Sequence, residues 1–290
     1  MPVNSLTLHG IEFTIQTNVV SYIQPFQHMS WNIQTRDLSS DTQILYNNVY
    51  LILDRDNEQS NAFGHWVLES CIFVLHYSEL KKIYPTLKVV LKDKRDFKIL
   101  FLKYLGIHIN DIVYSLEPNN TCIFPPCFYL GTTDSLPGWH MNLIKDFMAL
   151  FHKETIEKTI PFVLLPRQKK ENYIGNDRTF PTKEIENYIL DLDSSSVILN
   201  TDTITDLSEQ INTIQRADIV VVTSGSPATV NSIFANNSKY IILGKDDTYD
   251  KLQTLEILKY IINICEKEYN NKIIFSNSLS LNDFIEALKS

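Results

Sequence analysis

The 290-residue chain predicts an α/β fold of two domains with a cleft between them. Two observations carry this. From Pro161 onward, short apolar runs alternate regularly with segments of helical periodicity. Strands and helices that alternate in this way fold as a parallel sheet with crossover helices. Before that, the charged and polar stretch His152 to Thr159 breaks the composition. It separates a more irregular, strand-rich first half from the regular second half. The expected first domain is 1–155 and the second 160–275. A terminal helical segment, 276–290, is expected to pack back on the first domain.

In the first half, Ile11 to Ile15 alternates with period two, as a half-exposed strand does. Tyr50 to Leu53 is a short apolar strand that ends in Asp54-Arg55-Asp56-Asn57. The spacing of Leu68, Cys71, Ile72 and Leu75 predicts a helix over 61–80. A strand at Lys88 to Leu91 precedes a helix at 98–105, stopped by Gly106. Strands follow at 111–115 and 121–124, then an amphipathic helix at 138–153. In the second half, strands are expected at 162–165, 196–199, 218–223, 240–243 and 273–275. Helices are expected at 182–190, 206–215, 252–267 and 281–289, with Ser280 capping the last.

Composition narrows the function classes. Apolar residues make up 44% of the chain, enough for a core, and the net charge is −8, from 26 basic and 34 acidic residues. A nucleic-acid binder would carry the opposite excess. No window has the length of a membrane span, and the N-terminus lacks a basic region followed by an apolar one. A cytoplasmic protein is the expectation. The four cysteines, Cys71, Cys122, Cys127 and Cys265, form no C-x-x-C pair. Reduced thiols, and no metal, are therefore expected.

The chain is organised around Ala217 to Ala235. The β-branched run Ile219 to Val222 suits a strand buried on both faces. It breaks at Thr223-Ser224-Gly225. Ser226 is a good helix N-cap, and Pro227 fits the first helical position. A strand, a glycine turn and a helix leave backbone N–H groups free for phosphate. An ordinary βα turn has the same signature. No GxxxxGK[ST], GxGxxG or GxSxG occurs, which weakens NTPase, dinucleotide and serine-hydrolase readings.

Two more groups of residues could do chemistry. In Asn61-Ala62-Phe63-Gly64-His65-Trp66-Val67-Leu68-Glu69, His65 and Glu69 share a helix face, so the carboxylate can orient the imidazole as a base. Local pairing alone would explain the same spacing. Arg167, just past the 162–165 strand, has a guanidinium that can fork onto two phosphate oxygens. It lies in a basic loop, with Arg178 further on.

Taken in order, Asn61, Gly64, His65, Trp66 and Glu69, then Arg167 with Arg178, Glu209-Gln210, and Ala217-Asp218 through Phe234-Ala235 resemble glycosyltransferase family 61. That family includes plant xylosyl- and arabinosyltransferases, animal N-acetylglucosaminyltransferases, and capsule-type bacterial and viral members. The resemblance covers about residues 50 to 245 of this sequence. Where the family pattern has His-Gly-Ala-Gly, this chain has Ser224-Gly225-Ser226-Pro227, so no imidazole stands in the turn. The resemblance implies two Rossmann-like domains facing a cleft, the GT-B arrangement. It also implies inverting transfer from a UDP-sugar such as UDP-xylose or UDP-N-acetylglucosamine, and no essential metal.

The function expected is transfer to a glycan or protein hydroxyl. Arg167, Arg178, Ser224, Gly225, Ser226 and Pro227 would bind the donor, and His65, Glu69 or Asp56 would act on the acceptor, with Asp54 in reserve. The expected partners are the nucleotide sugar, which is substrate and not cofactor, and the acceptor. An inactive glycan- or nucleotide-sugar-binding protein, or an epimerase, would share the donor site.

Overall fold

The computed structural model describes residues 4–17, 48–54, 63–126, 138–154, 156–166, 181–201, 204–244 and 256–290. The chain divides into two compact units, Met1–Leu130 and Gly131–Ser290, each with its own sheet. Among the described residues, no helix is long and apolar enough to cross a membrane.

The first unit holds strands β1 (Asn4–Leu8), β2 (Ile11–Thr17), β3 (Asn48–Ile52), β4 (Lys88–Val90), β5 (Ile112–Val113) and β6 (Asn120–Phe124) in the order β1-β2-β6-β3-β4-β5. β6, β3, β4 and β5 run parallel. The β1–β2 hairpin joins them antiparallel along β6, so this sheet is mixed. From β3 the chain moves one way across the sheet to β4 and β5, then returns to the other side of β3 as β6.

Its helices are α1 (Phe63–Glu69), α2 (Tyr77–Ile83) and α3 (Asp96–Tyr104). The single helix expected over 61–80 is interrupted. Ser70 leaves helical geometry at φ −127°, ψ −52°, and Cys71–His76 continues as a 3₁₀ turn. Every residue from Trp66 to Val74 is buried. A stripe of 3.6-residue period cannot bury nine consecutive positions on one face. This segment is enclosed on all sides.

The second unit starts with α4 (Gly138–Ala149), followed by β7 (Ile160–Leu165), α5 (Lys183–Leu192), β8 (Val197–Ile198), α6 (Leu207–Gln215), β9 (Ala217–Thr223), α7 (Ser226–Ser232), β10 (Lys239–Leu243), α8 (Glu256–Lys267), β11 (Lys272–Phe275) and α9 (Leu281–Lys289). The five strands are all parallel, in the order β8-β7-β9-β10-β11. α5 and α9 cover one face. Ile185, Ile189, Phe284 and Ala287 pack there on Phe162, Leu164, Val221, Ile241 and Leu243. α7 lies on the other face, where the Tyr240 hydroxyl donates to the Ala228 carbonyl at 2.6 Å. α6 is tied to α7 by a 2.6 Å bond from Gln210 to Asn231. Alternate residues of β9 and β10 serve opposite faces, so a β-branched run without polar alternation is what this sheet requires.

Two expected boundaries move. α4 groups with the second unit: Phe147 stacks edge-on with Phe151, and Phe151 with Phe234, and Lys145 pairs with Glu268 at 2.6 Å. The polar stretch that marks the expected boundary is anchored inward. His152 bonds the Ile233 carbonyl at 2.8 Å. The Lys158 ammonium reaches the carbonyls of Gln215, Ala217 and Asn236 and the Ser238 hydroxyl at 2.5–2.9 Å. Polarity here marks buried attachment points. α9 also belongs to the second unit, because its apolar face seals the β10 side of that sheet. Ser280 caps it as expected, accepting from the Asp283 amide.

Candidate functional site

In the second unit the chain passes from β7 outward to β8, then returns through α6 to β9 on the other side of β7. The sheet order therefore reverses between β7 and β9. In open α/β sheets, ligands bind outside the carboxyl ends of the strands at such a reversal. The two strands are in register to their ends, with Leu165 opposite Val222. β7 leaves the sheet at Pro166, directly before Arg167. β9 leaves it at Thr223, directly before Ser224 and Gly225. The sequence-predicted phosphate groups thus come from the two strands that flank the reversal. Arg167 and Arg178 themselves lie outside the described residues.

The turn after β9 has a special backbone. Gly225 sits at φ 108°, ψ −171°, a region that only glycine enters without strain. Gly225 is also the residue before the helix. Ser226 and Pro227 are already its first two residues, one position earlier than the capping pattern suggested. The physical reason is that Gly225 makes the whole bend, so Ser226 can take helical geometry at once. Pro227 is tolerated there because the first helical amides have no intrahelical partner.

Ser224 is fully buried. Its amide donates to the Leu243 carbonyl at 3.1 Å. Its hydroxyl has no hydrogen-bond partner among the described residues. A Cβ built on Gly244 would lie 3.6 Å from that Oγ, so the hydroxyl faces the β10 side of the turn. Ser224 is a floor residue in this arrangement, not an open diphosphate ligand. An unspent buried hydroxyl costs about 1–3 kcal/mol unless something bonds it. Gln210, one of the residues shared with the family pattern, holds Asn231 of α7 and so fixes the helix that the turn opens.

In the first unit, the parallel strands reverse direction across the sheet at β3, and Asp54 lies just past its carboxyl end. Asp54 is buried and pairs with Lys98 of α3 at 2.8 Å. It also accepts from the Lys92 amide at 2.5 Å. Lys98 is completely buried, forms a second ion pair with Asp93 at 3.0 Å and lies 5.8 Å from the centre of the Trp66 ring. Asp54 is therefore committed to an ion network and is not free to serve as a base. Asp56 lies outside the described residues.

His65 and Glu69 do share a face of α1. Nδ1 and Oε1 are 2.7 Å apart, with His65 26% and Glu69 1% exposed. A carboxylate accepts only, so Nδ1 carries the proton and Nε2 of the neutral ring is left as the acceptor. This is the arrangement of an oriented general base. Trp66, next along, is buried against Phe97 and Phe101. That packing fixes the start of α1, and with it His65.

Lys98 was not singled out from the sequence. It had a signal: Lys98, Phe101 and Leu102 fall on one helix face, and all three are buried. A lysine on an apolar face needs an anion, and Asp54 at a strand end supplies it. The cysteines among the described residues are not part of either group. Cys71, Cys122 and Cys265 are free and buried, and burial pushes the thiols of Cys122 and Cys265 up to about 12. These are packing residues, not nucleophiles.

No family model matches the chain, and no curated protein resembles it closely enough to count as a relative. The likeness to glycosyltransferase family 61 stays at the level of the residues quoted above.

Proposed function

We propose that this protein is a nucleotide-sugar-dependent glycosyltransferase of the inverting, GT-B kind, using a UDP-sugar and a hydroxyl acceptor. The observation that carries the reading is the β7/β9 reversal. It sets a glycine-only turn and the residue before Arg167 at neighbouring strand ends. There the diphosphate would take the Ser226 backbone N–H at the start of α7 and a forked contact from Arg167. These groups stabilise charge on the leaving phosphate as the bond to the sugar breaks. His65, oriented by Glu69, would take the proton of the attacking hydroxyl.

A binding protein without transfer activity is the second reading. It is favoured by Ser224, which stands where the family pattern has an imidazole and whose side chain is buried in the turn. The test combines calorimetric titration of UDP with mass analysis of products from a panel of UDP-sugars and acceptors. Arg167→Ala should weaken UDP by about 1.5–3 kcal/mol, the worth of a bond to a charged group. His65→Ala should cut turnover by about 10²–10⁴ while leaving UDP affinity intact. UDP binding without any transferred product selects the second reading. No UDP binding to the wild type defeats both.

A further inference from the structure

We infer that His9, His76 and Glu79 form a binding site for a divalent transition-metal ion, with zinc the best fit. His9 stands in the turn of the β1–β2 hairpin. His76 ends the 3₁₀ segment and Glu79 lies in the first turn of α2. One ligand atom from each of the three lies within 4.8 Å of the other two. Two imidazoles and one carboxylate are a donor set that zinc accepts, with a fourth position left for water. Zinc holds such donors at about 2.0–2.2 Å, which sets them about 3.3 Å apart around a tetrahedron. His9 Nε2 already lies 2.9–3.0 Å from both Glu79 oxygens. Coordination would open that contact slightly and bring the His76 ring nitrogen in from within 4.8 Å to the same spacing.

The backbone at His9 sets where its side chain stands. His9 has φ 48° and Gly10 φ 77°. The turn joins Leu8 directly to its partner Ile11. A two-residue hairpin turn with positive φ at both positions favours Asn-Gly or Gly-Gly. Histidine, like asparagine, is among the non-glycine residues that enter this region most readily, so the turn can present the imidazole at its tip. His76 supplies a rigid base. It is 5% exposed, stacked on His9 at 5.5 Å and edge-on to Phe13 at 5.6 Å. His9 and Glu79 are 65% and 41% exposed, so an ion has an open approach. The site would clip the hairpin to α2 across 70 residues of sequence. That separation is why the sequence does not connect His9 with His76 and Glu79, which lie three residues apart. The inference is independent of the proposed transferase activity.

The test uses untagged, reduced, chelator-stripped full-length protein. Zinc chloride is titrated by calorimetry, and the thermal midpoint is followed with zinc, magnesium or calcium. Wild type should bind one equivalent of zinc and shift its midpoint upward, with no response to magnesium or calcium. His9→Asn suits the turn and removes the imidazole. It should stay folded and lose the zinc response, as should Glu79→Gln. Each loss should be at least the roughly 10–100-fold that follows removal of a residue merely supporting a ligand. With cobalt in place of zinc, visible bands of a four-coordinate ion should appear without sulfur charge-transfer absorption. Absence of stoichiometric binding, equal affinity in His9→Asn, or a sulfur-to-cobalt band that places the ion on the cysteines would each overturn the site.

Discussion

His152 should make the second unit acid-sensitive. Its ring stacks on Tyr269 at 3.8 Å and Nε2 donates to the Ile233 carbonyl. Burial pulls its pKa from 6.5 down to about 4, the hydrogen bond to Ile233 opposing only part of that fall. The folded pKa is thus below the unfolded one. Between pH 6.5 and 4 the unfolded chain binds more protons, so stability falls as pH falls through that window and the loss is complete near pH 4. A shift of about 2.5 units is worth about 3 kcal/mol in full, and about 2 kcal/mol of it should be lost between pH 7 and pH 5. His152→Gln keeps an amide donor and removes the titration. It will be less stable at pH 7, because the stacking is lost, but its profile should be flatter. Urea unfolding of both proteins at pH 7, 6 and 5 gives the comparison, with the slope m checked for constancy. Profiles that run parallel would refute the argument, because every other acid-sensitive group is common to both proteins.

Two further expectations concern the strand ends. Gly225→Ala should cost about 1–3 kcal/mol of stability, since alanine cannot take that backbone without strain; unchanged unfolding would mean that the turn relaxes freely. Lys98→Met alone should cost about 3–5 kcal/mol by leaving Asp54 buried without its cation, whereas Lys98→Met with Asp54→Asn should recover much of that loss. Denaturant titration reads both, and a double variant no better than the single one would show that the pair is not the issue.

The strands and helices of the second unit were legible because their cause is local. Val220, Val221 and Val222 are β-branched and buried on both faces, and Asp206 and Ser280 cap helices by bonds to amides two or three residues on. The pairing order β8-β7-β9-β10-β11 follows from no short pattern, although alternation alone pointed to a parallel sheet. His65 and Glu69 were legible because a helix fixes their spacing. The orientation of Ser224 was not legible, because nothing in Ser-Gly-Ser-Pro says which way a hydroxyl faces; that is decided by Leu243 and Gly244 at the end of the neighbouring strand. Lys98 with Asp54, and His9 with Glu79, were invisible for the same reason: their partners meet only through the tertiary fold. The division of the chain falls earlier, after Leu130, because the charged and polar stretch read as a composition break is held inside the second unit, with His152 and Lys158 bonded to carbonyls.

The Lys158 ammonium bears on how this sheet could be rebuilt. Its acceptors sit at the starts of β9 and β10, and Lys158 itself lies two residues before β7. One cation therefore locks three neighbouring strands at their amino ends, the edge opposite the Gly225 turn. Grafting or circular permutation should follow that polarity. New loops spliced in where β7 and β10 leave the sheet would keep the lock intact. Chain ends opened near Lys158, Arg216 or Asn237 would release three strands at once.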